Sequence, residues 1–228
     1  MTIKLICLDA DDTLWHNERH FQAALQRLAE IVPNFADARP LLEETEHRNI
    51  PAYGFGVKGF TLSVLETAAH VMGPVLDGAH VQRIIAVGKD LLAHPVELLD
   101  GIALALDELH ARAPLVLVTK GDLLHQETKL AASGLGERFA SLQIVSDKRS
   151  EAFTSIFKRH AIIPDEAIMI GDSLRSDILP ALEAGAYAAY IPHPLAWSFE
   201  VRAEPAGNPR YRRVAHMREI PPWIDTLA

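Results

Sequence analysis

The chain has 228 residues, 49% hydrophobic and 23% charged, a globular balance for one large domain or a domain carrying an inserted module. Its formal net charge of -8, with no basic run, argues against nucleic acid or an anionic membrane surface as the main partner. Cys7 is the only cysteine, which excludes an intrachain disulfide, and no stretch approaches the roughly 20 apolar residues of a membrane span.

The first element is the short aliphatic run from Ile3 to Leu8, which predicts a buried strand, central in a parallel sheet. It begins without the basic start and long apolar stretch of a signal peptide, so a cytoplasmic location is expected. Asp9, Asp11 and Asp12 follow it directly. The pattern then turns helical. Phe21, Ala24, Leu25, Leu28 and Ile31 recur at helical spacing ahead of Pro33, and a second helix is predicted near 37–47. Residues 49–59, with three glycines and Pro51, predict a loop. Two more helices are predicted over 60–71 and 80–92, with Pro95 closing an all-helical insert that spans 15–96.

Strand and helix then alternate. Helices are predicted over 102–110, 123–132, 152–160 and 178–184, and strands over 114–119, 142–145, 167–170 and 186–191. This alternation implies an α/β fold with a parallel sheet covered on both faces. Residues 202–213 are polar and contain Pro205, Gly207 and Pro209, which predicts a surface loop.

Three acids at the end of a central strand repel one another at the edge where open α/β sheets build ligand sites. They read either as an acidic turn or as a metal-assisted nucleophile and acid/base pair. Four further features fall at strand ends: Thr119, Lys148, Gly171 with Asp172, and Asp177. Each has an ordinary structural reading, as a cap, a turn or a surface charge. Together they supply acids, a hydroxyl and a lysine at one sheet edge, which is what phosphoryl chemistry on Mg²⁺ requires.

Asp9-Ala10-Asp11-Asp12-Thr13-Leu14, Thr119, Lys148 and Gly171-Asp172 with Asp177 resemble the four ordered motifs of the haloacid dehalogenase (HAD) superfamily. The resemblance implies a doubly wound, Rossmann-like core of residues 1–14 and 97–228 and a type-1 helical cap of residues 15–96. It implies that Asp9 is the nucleophile and forms an aspartyl-phosphate, and that Asp11 is the general acid and base. Mg²⁺ would be held by Asp9, Asp172 and the carbonyl of Asp11, with Asp177 nearby. Thr119 would bind the transferring phosphoryl group, and Lys148 would neutralise nucleophile and phosphate. Two positions depart from the pattern. Asp12 stands where glycine is usual, and Lys120 where asparagine is frequent. Lys120 and Lys58 are candidate contacts to an anionic substrate, although Lys120 can equally point outward. His193 follows the last strand and is placed to border the pocket.

The expected activity is Mg²⁺-dependent hydrolysis of a small phosphate monoester, with a small phosphorylated metabolite as partner, no nucleic acid or membrane, and the chain either a monomer or a homodimer. Asp11 favours a phosphatase over a 2-haloacid dehalogenase, because halide leaves without a proton and the dehalogenases lack this Asp. A non-catalytic phospho-ligand binder on the same fold is the other reading.

Overall fold

The computed structural model describes residues 2–227. In chain order the first elements are β1 (Leu5–Leu8), α1 (Glu18–Ala29), α2 (Arg39–Tyr53), α3 (Val57–Met72) and α4 (Gly78–Leu92). Then come α5 (Ile102–His110), β2 (Leu115–Lys120), α6 (Leu123–Ser133), β3 (Phe139–Val145), α7 (Ser150–Arg159) and β4 (Ala167–Gly171). The last are α8 (Leu179–Glu183), β5 (Tyr187–Tyr190), β6 (Tyr211–Arg213) and α9 (Ile220–Asp225). No helix among the described residues is long and apolar enough to cross a membrane.

The chain divides into two units. The first comprises Met1–Glu18, Val96–Lys120 and Gln126–Ala228, and the second comprises Arg19–Pro95 with Gly121–His125. The first boundary lies past the 14/15 division read from the sequence. Trp15 is fully buried in the α/β core and bridges to Leu98, so the chain leaves this unit only after Glu18.

The six strands of the first unit form one sheet in the order β3-β2-β1-β4-β5-β6, and every neighbouring pair is parallel. It is a Rossmann-like α/β fold. Successive side chains of β1 point to opposite faces. Ile6 and Leu8 pack with Leu115, Leu117, Ile168 and Ile170 under α5 and α9, while Leu5 and Cys7 pack with Val116, Val118 and Met169 under α7. Both faces are covered, which is why β1, β2 and β4 read as continuous apolar runs rather than alternating ones. Burial pushes the Cys7 thiol up to about 12, so it stays protonated and inert. The sheet order reverses direction at β1, between β2 and β4. Crevices at such switch points, beyond the carboxyl ends of the strands, hold ligands.

Two elements differ from the sequence reading of this unit. Residues 211–213, predicted as loop, form the parallel edge strand β6 beside β5. Three residues with exposed Arg212 and Arg213 give no apolar run to detect, and a short charged strand suits an edge. Helix α9 was not foreseen. It starts on Pro221 and Pro222, which are tolerated in a first turn, and buries Ile220, Trp223 and Ile224 in the core.

The helical unit has its own core. Leu25 and Leu28 of α1, Leu42 of α2, Phe60, Val64 and Ala68 of α3, and Ile84, Val87 and Leu91 of α4 close on one another. The loop predicted over 49–59 shrinks to Gly54–Gly56, because α2 runs through Pro51 to Tyr53 and α3 starts at Val57. Asn49 ties the two helices together: its Nδ2 donates to Ser63 Oγ (3.1 Å) and Glu66 Oε1 (2.9 Å). Gly59 is inside α3, where a Cβ would lie 2.8 Å from the Gly54 carbonyl oxygen. Here glycine permits close approach rather than breaking a helix.

Candidate active site

Residues 9–15 leave β1 in a tight turn. Thr13 N and Leu14 N both donate to Ala10 O, and Asp12 N donates to Trp15 O at 2.8 Å. Asp12 takes φ +58°, the left-handed region that glycine, Asn and Asp visit most readily. That geometry explains why an Asp can stand where glycine is usual. Its carboxylate accepts from Asn17 N (2.9 Å) and Glu18 N (2.9 Å), so it anchors the start of α1. Burial, helped by the charges of Asp11 and Asp9, pushes Asp12 up to about 6 against these hydrogen bonds. His193 Nε2 stands 3.5 Å from Asp12 Oδ1, and burial lowers its pKa.

The end of β1 brings Asp9 to the switch point, where its N–H donates to Ile170 O of β4. Oxygen atoms of Asp9, Asp172 and Asp177 lie within 4.8 Å of one another. Asp172 follows β4 directly. Asp177 is carried by a π turn over Leu174–Ile178, capped by Ser173 Oγ accepting from Ser176 N (2.8 Å). Such turns are uncommon and frequent at functional sites. The turn folds the Asp177 side chain back over Gly171, and Asp177 Oδ2 accepts from Ser173 N (3.0 Å). Lys148, on the bend after β3, is buried and donates to Asp9 Oδ1 and to Asp177 Oδ1 (2.6 Å). Thr13 Oγ1 bonds Asp172 Oδ1 (3.1 Å) and approaches Asp9 Oδ2 (3.4 Å). Asp9, Asp172, Asp177 and Lys148 thus lie together beyond the ends of the strands.

The electrostatics of this group are uneven. Three carboxylates and one ammonium leave two negative charges when all are ionised. Burial and then the charges of Asp9 and Asp177 push Asp172 well above the usual carboxylate range. Burial raises Asp177 to about 7, although Lys148 opposes it. Burial works to lower Lys148, but Asp177 and Asp9 outweigh it and hold its ammonium charged. The donors are hard oxygens whose ionisation is opposed by burial and by one another, a set that fits a divalent cation such as Mg²⁺.

Asp11 does not share this cluster. Its Oδ1 accepts from Trp15 Nε1 (2.6 Å) and Lys129 Nζ (2.5 Å), and its Oδ2 accepts from Gln126 Nε2 (3.0 Å). Burial works to raise its pKa, yet the Lys129 charge and these hydrogen bonds bring it below the usual carboxylate value. Thr119, at the end of β2, is buried, and its Oγ1 accepts from Gln126 Nε2 at 3.1 Å. Gln126 therefore links the acid to the hydroxyl.

The two lysines proposed to meet substrate are otherwise engaged. Lys120 Nζ is turned inward and donates to Glu200 Oε1 (2.7 Å) and Ser176 Oγ (2.6 Å). Lys58 sits in the first turn of α3 rather than in a loop, and its Nζ pairs with Asp122 Oδ2 at 2.7 Å. Gln126, Lys129, Trp15 and Glu200 were not foreseen. The signal was available for Glu200 least of all, since nothing in its sequence surroundings separates it from a surface acid.

Glu200 also accepts from Ser173 Oγ and Ser176 Oγ, each at 2.5 Å, and braces the π turn. Burial would raise its pKa, but Lys120 and the two hydroxyls hold it down at about 2. A depressed carboxylate pKa contributes stability that is complete above the unfolded value and lost as pH falls through the folded one. Glu200→Gln is expected to cost about 2–3 kcal/mol at pH 7, with the deficit shrinking between about pH 4.5 and pH 2. Urea titrations of both proteins at several pH values would check this; a deficit independent of pH would contradict it.

A family profile of haloacid dehalogenase-like hydrolases matches residues 3–185. The chain belongs to this family. Among solved structures, the hydrolase is similar to a haloacid dehalogenase-like family hydrolase from Xanthomonas campestris, with 34% identity and a TM-score of 0.90. That match covers 99% of this chain and 92% of the other. YfnB of Bacillus subtilis, a structure bound to magnesium, is 19% identical at a TM-score of 0.72, covering 99% and 100% of the two chains. A 2-haloacid dehalogenase from Pseudomonas syringae is 20% identical at 0.68, covering 100% of each chain. No curated protein matches the sequence. The last two likenesses establish the fold of the hydrolase and leave its reaction to be argued from the site.

Proposed function

We propose that the chain is a Mg²⁺-dependent phosphatase that hydrolyses a small phosphorylated metabolite in the cytoplasm through an aspartyl-phosphate at Asp9. The observation that carries this reading is the coexistence of two acid sites: a crowded cluster of Asp9, Asp172 and Asp177 around Lys148, and a separate Asp11 with its own donors. A halide leaves without a proton, so a dehalogenase has no use for Asp11. An ester oxygen needs one.

In this reading the Asp9 carboxylate attacks phosphorus, and the reaction is divided into two easier steps. Lys148, which donates to Asp9 Oδ1, offsets charge on the nucleophile and on the phosphoryl oxygens. Thr119, supported by Gln126, donates to the transferring group. Asp9 and Asp172, with Asp177 alongside, would hold Mg²⁺, which supplies Lewis-acid stabilisation of the phosphoryl oxygens. Asp11 gives a proton to the leaving oxygen and later takes one from water, which together are worth about 10²–10⁴-fold. The acid role requires Asp11 to gain a proton. The helical unit is the part of the chain assigned to substrate choice.

The test is a panel of phosphate monoesters assayed for phosphate release with Mg²⁺ and with excess EDTA, alongside 2-haloacids assayed for halide release. Phosphate release that EDTA abolishes and Mg²⁺ restores is expected. Halide release without phosphate release would reverse the assignment.

A further inference from the structure

Helix α6 is built the wrong way round for a surface helix. Its two fully buried residues are Gln126 and Lys129, while Leu123 and Leu124 are exposed. Residues three apart share a face of a helix, so Gln126 and Lys129 reach inward side by side. Burying a lysine is unfavourable unless it is paired and hydrogen-bonded. Here it is: Nζ donates to Asp11 Oδ1 at 2.5 Å and to Asn17 Oδ1 at 3.3 Å.

The two oxygens of Asp11 are treated differently. Each carboxylate oxygen has two lone-pair sites. Oδ1 accepts from both the Trp15 indole and Lys129, which fills it. Among the described residues Oδ2 accepts only from Gln126, which leaves one of its lone pairs open. The two N–H groups of Gln126 Nε2 are shared among Asp11 Oδ2, Thr119 Oγ1 and Lys120 O, which holds Oδ2 on the side of the Thr119 hydroxyl.

We propose that Lys129 is a positioning residue for the second, hydrolytic step: by occupying Oδ1 it fixes the Asp11 carboxylate with Oδ2 turned to accept the proton of the attacking water. The inference rests on the phosphatase reading given above. In that step the water oxygen bonds to phosphorus and the bond from phosphorus to the Asp9 oxygen breaks. Its electron pair returns to Asp9 as a carboxylate. One water proton passes to Asp11 Oδ2, and the other stays on the released phosphate. Lys129 touches neither substrate nor water and acts through Asp11.

The test uses p-nitrophenyl phosphate with Mg²⁺, because this leaving group needs little help from an acid and the first step stays fast. Lys129→Met is expected to show a burst of about one p-nitrophenolate per active site, followed by turnover slowed about 10²-fold. Asp11→Asn should behave alike, and the double variant should be no slower than Asp11→Asn alone. If burst and steady-state phases fall together, if turnover is unchanged, or if the double variant is slower still, the proposal is overturned. Lys129→Ala, which is too short to reach Asp11 and has no donor, carries the same expectation should the methionine variant fail to fold. An inert wild type that releases no phosphate from any ester would refute the phosphatase reading itself, an outcome distinct from wild-type turnover that Lys129 does not affect.

Discussion

Asp9→Asn is expected to lower phosphate release by at least about 10³-fold while leaving the fold intact. The amide has the shape of the carboxylate but cannot form the acyl phosphate. Stability should not fall with activity. Asp9 is one of three carboxylates crowded around one ammonium, and Lys148 retains Asp177 as a partner when Asp9 is neutral. Without added cation, the variant should melt at the wild-type temperature or above it, since removing one charge relieves the repulsion that pushes Asp172 up. Phosphate release and thermal melting with and without Mg²⁺ would measure both halves. An active variant would end the proposed mechanism, and an inactive one that is also strongly destabilised would show that Asp9 acts structurally.

Gly171→Ala should damage the same site with no change of charge. The added methyl would lie 2.2 Å from Oδ2 and 2.4 Å from Cγ of Asp177. These atoms belong to a fully buried side chain, so the clash is relieved only if Asp177 swings away. It then loses its bonds from Ser173 N and Lys148 Nζ. Overpacking and the lost buried hydrogen bonds together suggest a cost of about 2–4 kcal/mol. A catalytic group displaced by about 1 Å is commonly worth 10²-fold in rate, and a loss of that size in kcat is expected. Chemical unfolding and steady-state kinetics would reveal it. Wild-type values for both would mean that the π turn yields without moving Asp177.

The central sheet was legible because buried parallel strands are apolar on both faces, and β1, β2 and β4 announce themselves as unbroken aliphatic runs. Asp9 and Asp172 stand out for the same reason, since each directly follows an apolar strand, whereas Thr119 lies one residue before the end of β2 and Lys148 three past β3. The partners of these residues were not legible. Lys129 reads as one charge on an ordinary polar helix, and only the packed structure shows that α6 turns it inward. Lys120 looked available because Glu200, which pairs with it, is 80 residues away in the chain. Asp12 had no assignable role until its left-handed backbone and the amides of Asn17 and Glu18 were seen. Gly59 and Pro51 suggested a loop because composition alone cannot tell a breaker from a close contact.

The parallel sheet also governs when the site comes into being during folding. Lys148 and Asp9 are separated by 139 positions, and Thr13 and Asp172 by 159. Parallel neighbours cannot be joined by a tight turn, so these contacts wait for long crossovers to close. Until β1 and β4 are aligned, Asp9 is held apart from Asp172 and Asp177. Crowding them is therefore a cost of aligning the strands. Recovery of activity during refolding would consequently lag behind recovery of helical signal, and the enzyme's own turnover would time the completion of its sheet.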